Sequence, residues 1–274
     1  MFYMRYNKSM KETKIYCVTN QKGGVGKSTT TLTLGAALSE LGKKVLLVDL
    51  DPHAGLTISL GYDNPEEAFK HSIYDVINEK DFPIDKAITK TAVDALELIP
   101  SHQDLVEFDV TLVTRKYWPN TLKNALSPLL GRYDYILIDC PPSLGVLTTC
   151  AMVASSLAIV PVQSEYLAMR GLRLLFRVVN EIKGEGNPGL ETKVLITMHQ
   201  GRTLHAQEVL EEIQKILPTQ VFKTLIHRTI KFADSTVAGK PLLMTDSASQ
   251  GAQAYRELAQ EILHYEQKER VGAR

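Results

Sequence analysis

The clearest chemistry in the chain lies in ten residues, Gln21-Lys22-Gly23-Gly24-Val25-Gly26-Lys27-Ser28-Thr29-Thr30. They follow an apolar run (KIYCVT, 14–19) and precede a helical pattern (LTLGAALSELG). Glycines let a backbone curl until successive N–H groups converge on phosphate oxygens, and a helix that starts there adds partial positive charge. Lys27 is placed to reach the outer phosphates of a nucleotide, and the Ser28 hydroxyl to ligate Mg²⁺. The ordinary spacing asks for glycine at position 21, where this chain has Gln21, and Lys22 is an extra cation at the loop entrance.

Three acids complete the set. KVLLVD (44–49) ends in Asp49, with Asp51 two residues on, so an extended chain would point both to one side. YDYILIDC (133–140) delivers Asp139 ahead of Pro141-Pro142, the pattern of a carboxylate that meets Mg²⁺ through water. Three acids at the strand-end edge of a sheet that also carries a phosphate loop read as a metal and water site.

These residues must be held by alternating elements. Short β-branched runs at 14–19, 44–49, 96–100, 133–140, 156–162, 193–197 and 221–226 alternate with helical stretches near 27–41, 119–130, 143–154, 168–183, 203–217 and 249–267. Several runs are apolar without alternation, as strands covered on both faces should be. This predicts an α/β fold, a doubly wound, mostly parallel sheet with helices on both faces, whose ligands sit at the carboxyl ends of strands. Residues 14–267 read as one domain, 1–13 as a flexible extension and 268–274 as a polar tail.

A chain of 274 residues, 44% hydrophobic, is large enough to bury a core without staples, which excludes disordered and disulfide-scaffold classes. Cys17, Cys140 and Cys150 sit in apolar contexts and suit a reducing, cytoplasmic compartment. No run is long enough for a membrane span. The 31 basic and 31 acidic side chains cancel overall, but residues 45–140 carry 16 acidic and 8 basic groups whereas 170–242 carry 11 basic and 7 acidic. Nucleic-acid binding would therefore need a local patch.

QKGGVGKSTTTLTLGAALSELGKKVLLVDLDPH, YDYILIDCPPSLGVLTTCAM, PVQSEYLAMRGL and GKPLLMTDSASQGAQAYRELAQEI together resemble the ParA/MinD family of deviant Walker A ATPases, in its ParA (Soj-like) partition branch. The resemblance spans residues 14 to about 266 and implies ATP and Mg²⁺ as cofactors and an ATP-dependent sandwich homodimer. It implies that Lys22 crosses to the partner's nucleotide. Lys27 would be the loop lysine, Ser28 and Asp139 would serve the Mg²⁺ with Asp49 close behind, and Asp51 would orient the attacking water. A lysine inserted in trans neutralises charge spread over the transferring phosphoryl group. PVQSEYLAMRG resembles the second switch region, with Gln163 and Glu165 either sensing the nucleotide or capping a helix.

The helix expected at 168–183 aligns Arg170, Arg173 and Arg177 on one stripe opposite Leu172, Leu175, Val179 and Ile182. The ParA resemblance points instead to Arg202 and Lys231 as contacts to non-specific double-stranded DNA. It also implies a nucleoid-associated protein and a ParB-like or cargo-adaptor partner that stimulates hydrolysis. The chain departs from the family pattern at His53, usually Gln, at Ile226-His227-Arg228-Thr229 and at Asp234-Ser235-Thr236-Val237, near the expected adenine and DNA faces. A MinD-like membrane-surface ATPase is the alternative, but AYRELAQEILHYEQKERVGAR is poor in the bulky apolar residues of a membrane-binding helix, so no stable membrane anchor is expected.

Overall fold

The computed structural model describes residues 12–165, 168–201 and 204–272. Seven strands form one sheet: β1 (Lys14–Val18), β2 (Val45–Asp49), β3 (Thr89–Lys90), β4 (Leu96–Ile99), β5 (Tyr135–Asp139), β6 (Leu157–Gln163) and β7 (Glu191–Thr197). Their order is β3-β4-β2-β5-β1-β6-β7, and all pairings are parallel except β3 with β4.

The unbroken apolar runs have the expected cause. In β2, Val45 and Leu47 enter one core and Leu46 and Val48 the other, and all four are fully buried. Side chains alternate at period two, but a helical layer covers each face, so no polar phase is needed. One layer contains the helices Lys27–Glu40 and Gln250–Gly272. The other includes Ile73–Asn78, Leu105–Leu112, Val146–Ala154 and Ala168–Glu185. Ala168–Glu185 buries Leu172, Leu175, Val179 and Ile182 and leaves Arg170, Arg173 and Arg177 exposed, as its periodicity predicts.

At one edge of the sheet an expected strand does not form, and at the other an unexpected one does. The run 221–226 is not a strand: it meets β7 in a single bridge, Val194 with Val221. Phe222 N and Ile226 N donate to Val194 O and Ile196 O (2.9 Å each), but between them Thr224 N donates to the Glu261 carboxylate (3.0 Å), taking a donor that a ladder would use. At the opposite edge the antiparallel β3 is only two residues long, too short for periodicity to register. Helices between residues 50 and 118 also went unread. Ile73–Asn78 nevertheless carries a local sign, a capping box formed by Ser72 and Asp75.

Residues 1–11 of the expected extension and 273–274 of the expected tail lie outside the described residues. Thr13 Oγ1 donates to Tyr133 O at 2.8 Å and accepts from Gly131 N at 2.7 Å. The last helix runs to Gly272, through most of the stretch expected as a tail. It is pinned by Glu266, which is buried and accepts from Tyr16 Oη and from Tyr135 Oη (2.9 Å to Oε1). Tyr16 and Tyr135 stand on the same face of the adjacent strands β1 and β5, so one carboxylate locks the helix to two central strands. Glu266→Ala removes the charged acceptor of two buried phenols and should lower unfolding stability by about 2 kcal/mol, read from urea melts with unchanged slope.

Candidate functional site

The site forms where β1, β2, β5 and β6 end. Asn20 follows β1 and donates through Nδ2 to Pro161 O (2.8 Å), while its Oδ1 accepts the Lys22 N–H (3.0 Å). Gly24 and Gly26 take left-handed φ values of 71° and 88°, a conformation that costs glycine little. The loop's carbonyls are tied back: Gly24 O accepts from Gln163 Nε2 (3.1 Å) and Val25 O from Thr197 Oγ1 (2.8 Å). The helix then starts at Lys27 with no side-chain cap. Its first N–H groups have no intrahelical partner, so they are available to an anion.

The two lysines of the loop are placed differently. Lys27 is buried, and its Nζ bonds back to Lys22 O at 3.3 Å, across the curl of the loop. Lys22 is half-exposed at the rim, where its Nζ meets Glu165 Oε2 at 2.6 Å and Gln163 Oε1 at 3.0 Å. Gln163 and Glu165 thus share Lys22 between them.

The acids converge through strand register. Asp139 pairs with Val18 on one side and with Asp49 on the other. Both carboxylates are fully buried. Burial pushes Asp49 up to about 7, against the hydrogen bonds it accepts from Thr57 N (2.8 Å) and Thr57 Oγ1 (2.6 Å). Burial also raises Asp139, the nearby charge of Asp49 adds to the rise, and Ser28 and Lys27 work against it. Asp139 Oδ1 accepts from Thr31 Oγ1 at 3.3 Å, whereas Oδ2 is buried without a partner. An orphaned carboxylate oxygen among mutually repelling buried acids is an arrangement that a cation completes. Among the described residues no three His, Cys, Asp or Glu side chains form a metal cage. An ion held here would therefore also draw on a hydroxyl, a phosphate or water, as Mg²⁺ does.

Asp51 does not extend β2 as an i, i+2 reading requires, because the strand ends at Asp49. The chain turns, and Asp51 N donates to Asp49 Oδ1 at 3.2 Å. Asp51 still reaches the same carboxylate group, by way of the turn. Gly55 closes over the loop: a Cβ there would stand 3.2 Å from Ser28 Oγ.

A cavity of about 650 Å³ opens beside Gly26 and Thr29 and is walled by Met198, His227, Arg228, Ile230 and Phe232. The departures at 226–229 line it. Met198, Phe232 and Tyr255 carry no sign in the sequence that they belong to it, because only the fold brings them there. A second cavity, about 640 Å³, is lined by Gln21, Lys22, Gln163 and Glu165 together with Arg170 and Arg173. Lys231 opens the helix Lys231–Val237 and pairs with Asp246 at 3.2 Å. Arg202 lies outside the described residues.

Comparison with known proteins agrees with this geometry. Residues 13–192 match the family AAA_31, an AAA domain. Over 250 residues the chain is 40% identical to the sporulation initiation inhibitor protein Soj of Bacillus subtilis, covering 91% of this chain and 98% of Soj. It is 36% identical over 265 residues to the chromosome partitioning protein ParA of Caulobacter vibrioides, covering 95% and 97% respectively. A crystal structure titled cobyrinic acid a,c-diamide synthase from Mycobacterium smegmatis, with bound ATP analog and magnesium, superposes with a TM-score of 0.81 at 37% identity, covering 93% of this chain and 96% of that one. With its phosphate loop, paired strand-end acids and seven-stranded sheet, the chain belongs to the ParA/MinD family of P-loop ATPases.

Proposed function

We propose that this chain is an Mg²⁺-dependent ATPase that pairs with a second copy when ATP is bound, holds double-stranded DNA without sequence preference, and positions a DNA or protein cargo. The observation that carries this reading is the division of labour between its lysines. Lys27 turns into its own loop, whereas Lys22 stands at the rim on exposed Glu165 and Gln163. A cation held outside its own phosphate cradle suits insertion into a partner's.

In this reading the N–H groups of Gly23, Gly24, Val25, Gly26 and Lys27, with the Thr29 side of the helix start, hold the phosphates. Ser28 and Asp139 hold the metal, and Asp49 supports it from behind. Bound Mg²⁺ supplies positive charge against the phosphoryl oxygens. Asp51 orients the attacking water. Lys22 leaves Glu165 and neutralises charge on the partner's nucleotide, so hydrolysis depends on pairing. The pair Lys22–Glu165 is solvent-exposed, and such pairs contribute at most about 1 kcal/mol, an amount that dimer contacts readily offset.

Arg202 and Lys231 are the proposed DNA contacts, doubled in the dimer, with a ParB-like or cargo-adaptor protein as the stimulating partner and the nucleoid as the place of action. Phosphate contacts of this kind carry no base information and weaken steeply with salt. The membrane-surface alternative has less support, because the last helix spends Tyr255, Leu258, Ala259 and Ile262 on the core. No helix among the described residues is long and apolar enough to cross a membrane.

Lys22→Ala should bind ATP with near-normal affinity in equilibrium binding yet show no partner-stimulated turnover; wild-type turnover would overturn the role in trans. Sedimentation with plasmid DNA and with anionic liposomes, with and without ATP, should show ATP-dependent recovery with DNA only, and recovery with liposomes alone would sink the DNA reading. Arg202→Glu and Lys231→Glu should each abolish DNA recovery at moderate salt while ATP-dependent dimers persist in analytical ultracentrifugation.

A further inference from the structure

His53 is the one departure from the family pattern that lies against the catalytic acids. Its side chain is 82% exposed, whereas that of Asp51 is only 11% exposed, yet the two are in contact. His53 Nδ1 stands 2.9 Å from Asp51 Oδ1, and the His53 backbone N–H donates to the same oxygen at 3.0 Å. An ionised carboxylate has no proton to give, so Nδ1 must carry the hydrogen in this contact. Two donors from one residue thus converge on one oxygen of Asp51, and among the described residues Oδ2 accepts no hydrogen bond.

The backbone of Asp51 is already fixed. Its N–H is bound to Asp49 Oδ1, and its carbonyl accepts from Ser101 Oγ at 2.6 Å and from Ala54 N at 2.8 Å. What remains free is rotation of the carboxylate about its own side-chain bonds. Ala54 holds a left-handed φ of 54°, part of the tight turn that carries the imidazole back beside the acid two residues earlier.

We infer that His53 is a positioning residue for hydrolysis: it pins Asp51 Oδ1 so that Oδ2 faces the attacking water. This rests on the reading of Asp51 as the water-orienting acid. Among the described residues the ring's hydrogen-bond partner is Asp51, and it acts through that acid. Its contribution is orientational, holding one acceptor lone pair in the direction of attack, the kind of constraint whose loss lowers turnover and leaves substrate binding intact. The donating side-chain N–H lies two bonds beyond Cβ. Asparagine reproduces that arm, with its amide nitrogen in the place of Nδ1.

The test is single-turnover hydrolysis of Mg-ATP by the full chain, alongside nucleotide affinity from fluorescence titration. His53→Ala should lower the hydrolysis rate about ten-fold, the loss of one hydrogen bond to a charged acceptor, with ATP affinity unchanged. His53→Asn should recover most of that rate, and added imidazole should partly restore His53→Ala, since the position is open to solvent. Hydrolysis by His53→Ala at the wild-type rate, or by His53→Asn no faster than by His53→Ala, would overturn the assignment. Asp51→Ala separates the two layers. If it hydrolyses at the wild-type rate, the reading beneath fails and the inference with it. If it is inactive while His53→Ala is unimpaired, only the inference fails.

Discussion

Burying Asp49 and Asp139 side by side is the constraint on which the rest of the site depends. The parallel register of β2, β5 and β1 leaves no alternative, because the same ladder that joins Val48 to Ile138 places the two acids opposite one another. Neither carboxylate is solvated, and each raises the cost of charging the other. The surroundings answer only in part. Thr57 gives two hydrogen bonds to Asp49 and Thr31 one to Asp139, and Lys27 approaches from the loop, yet Asp139 Oδ2 is left alone. A sheet edge tuned in this way holds a deficit of positive charge, which a magnesium ion carried in with a nucleotide makes good.

The same edge couples the phosphate loop to distant parts of the chain. Gln163, at the end of β6, accepts from Lys22 and donates to Gly24 O and to Met198 Sδ. Thr197, at the end of β7, donates to Val25 O. Two residues on, His199 bonds Ser164 and faces His227, and it is held below the usual histidine range by burial and by that neighbour. The phosphate loop is thus tied through Gln163 and Thr197 to Met198 on the wall of the neighbouring cavity.

The last helix shows the opposite design. Its residues Tyr255, Leu258, Ala259 and Ile262 complete the core against the first helix, Tyr255 bonds Thr30 at 2.9 Å, and Glu266 clamps the central strands from below. An apolar face used in this way is structural. The exposed chemistry is concentrated instead on the rim around Lys22 and along Arg170, Arg173 and Arg177, where side chains remain available to a second molecule.

Motif and period alone determined the phosphate loop, the buried parallel strands and the acids at their ends. Those signals are local: a glycine spacing, an unbroken apolar run, a charged residue where the run stops. The tertiary structure decided what depends on distant partners. Glu261 diverts the donor of Thr224 and so interrupts a strand that composition favours. A turn after β2 directs Asp51 to the site by a path that an extended reading did not foresee. Lys22 finds its partners 141 and 143 residues away, and Phe232 and Tyr255 reach the cavity beside Gly26 from the far end of the chain. No spacing rule encodes such contacts, because they arise only when packing of both sheet faces brings separate strand ends to one edge.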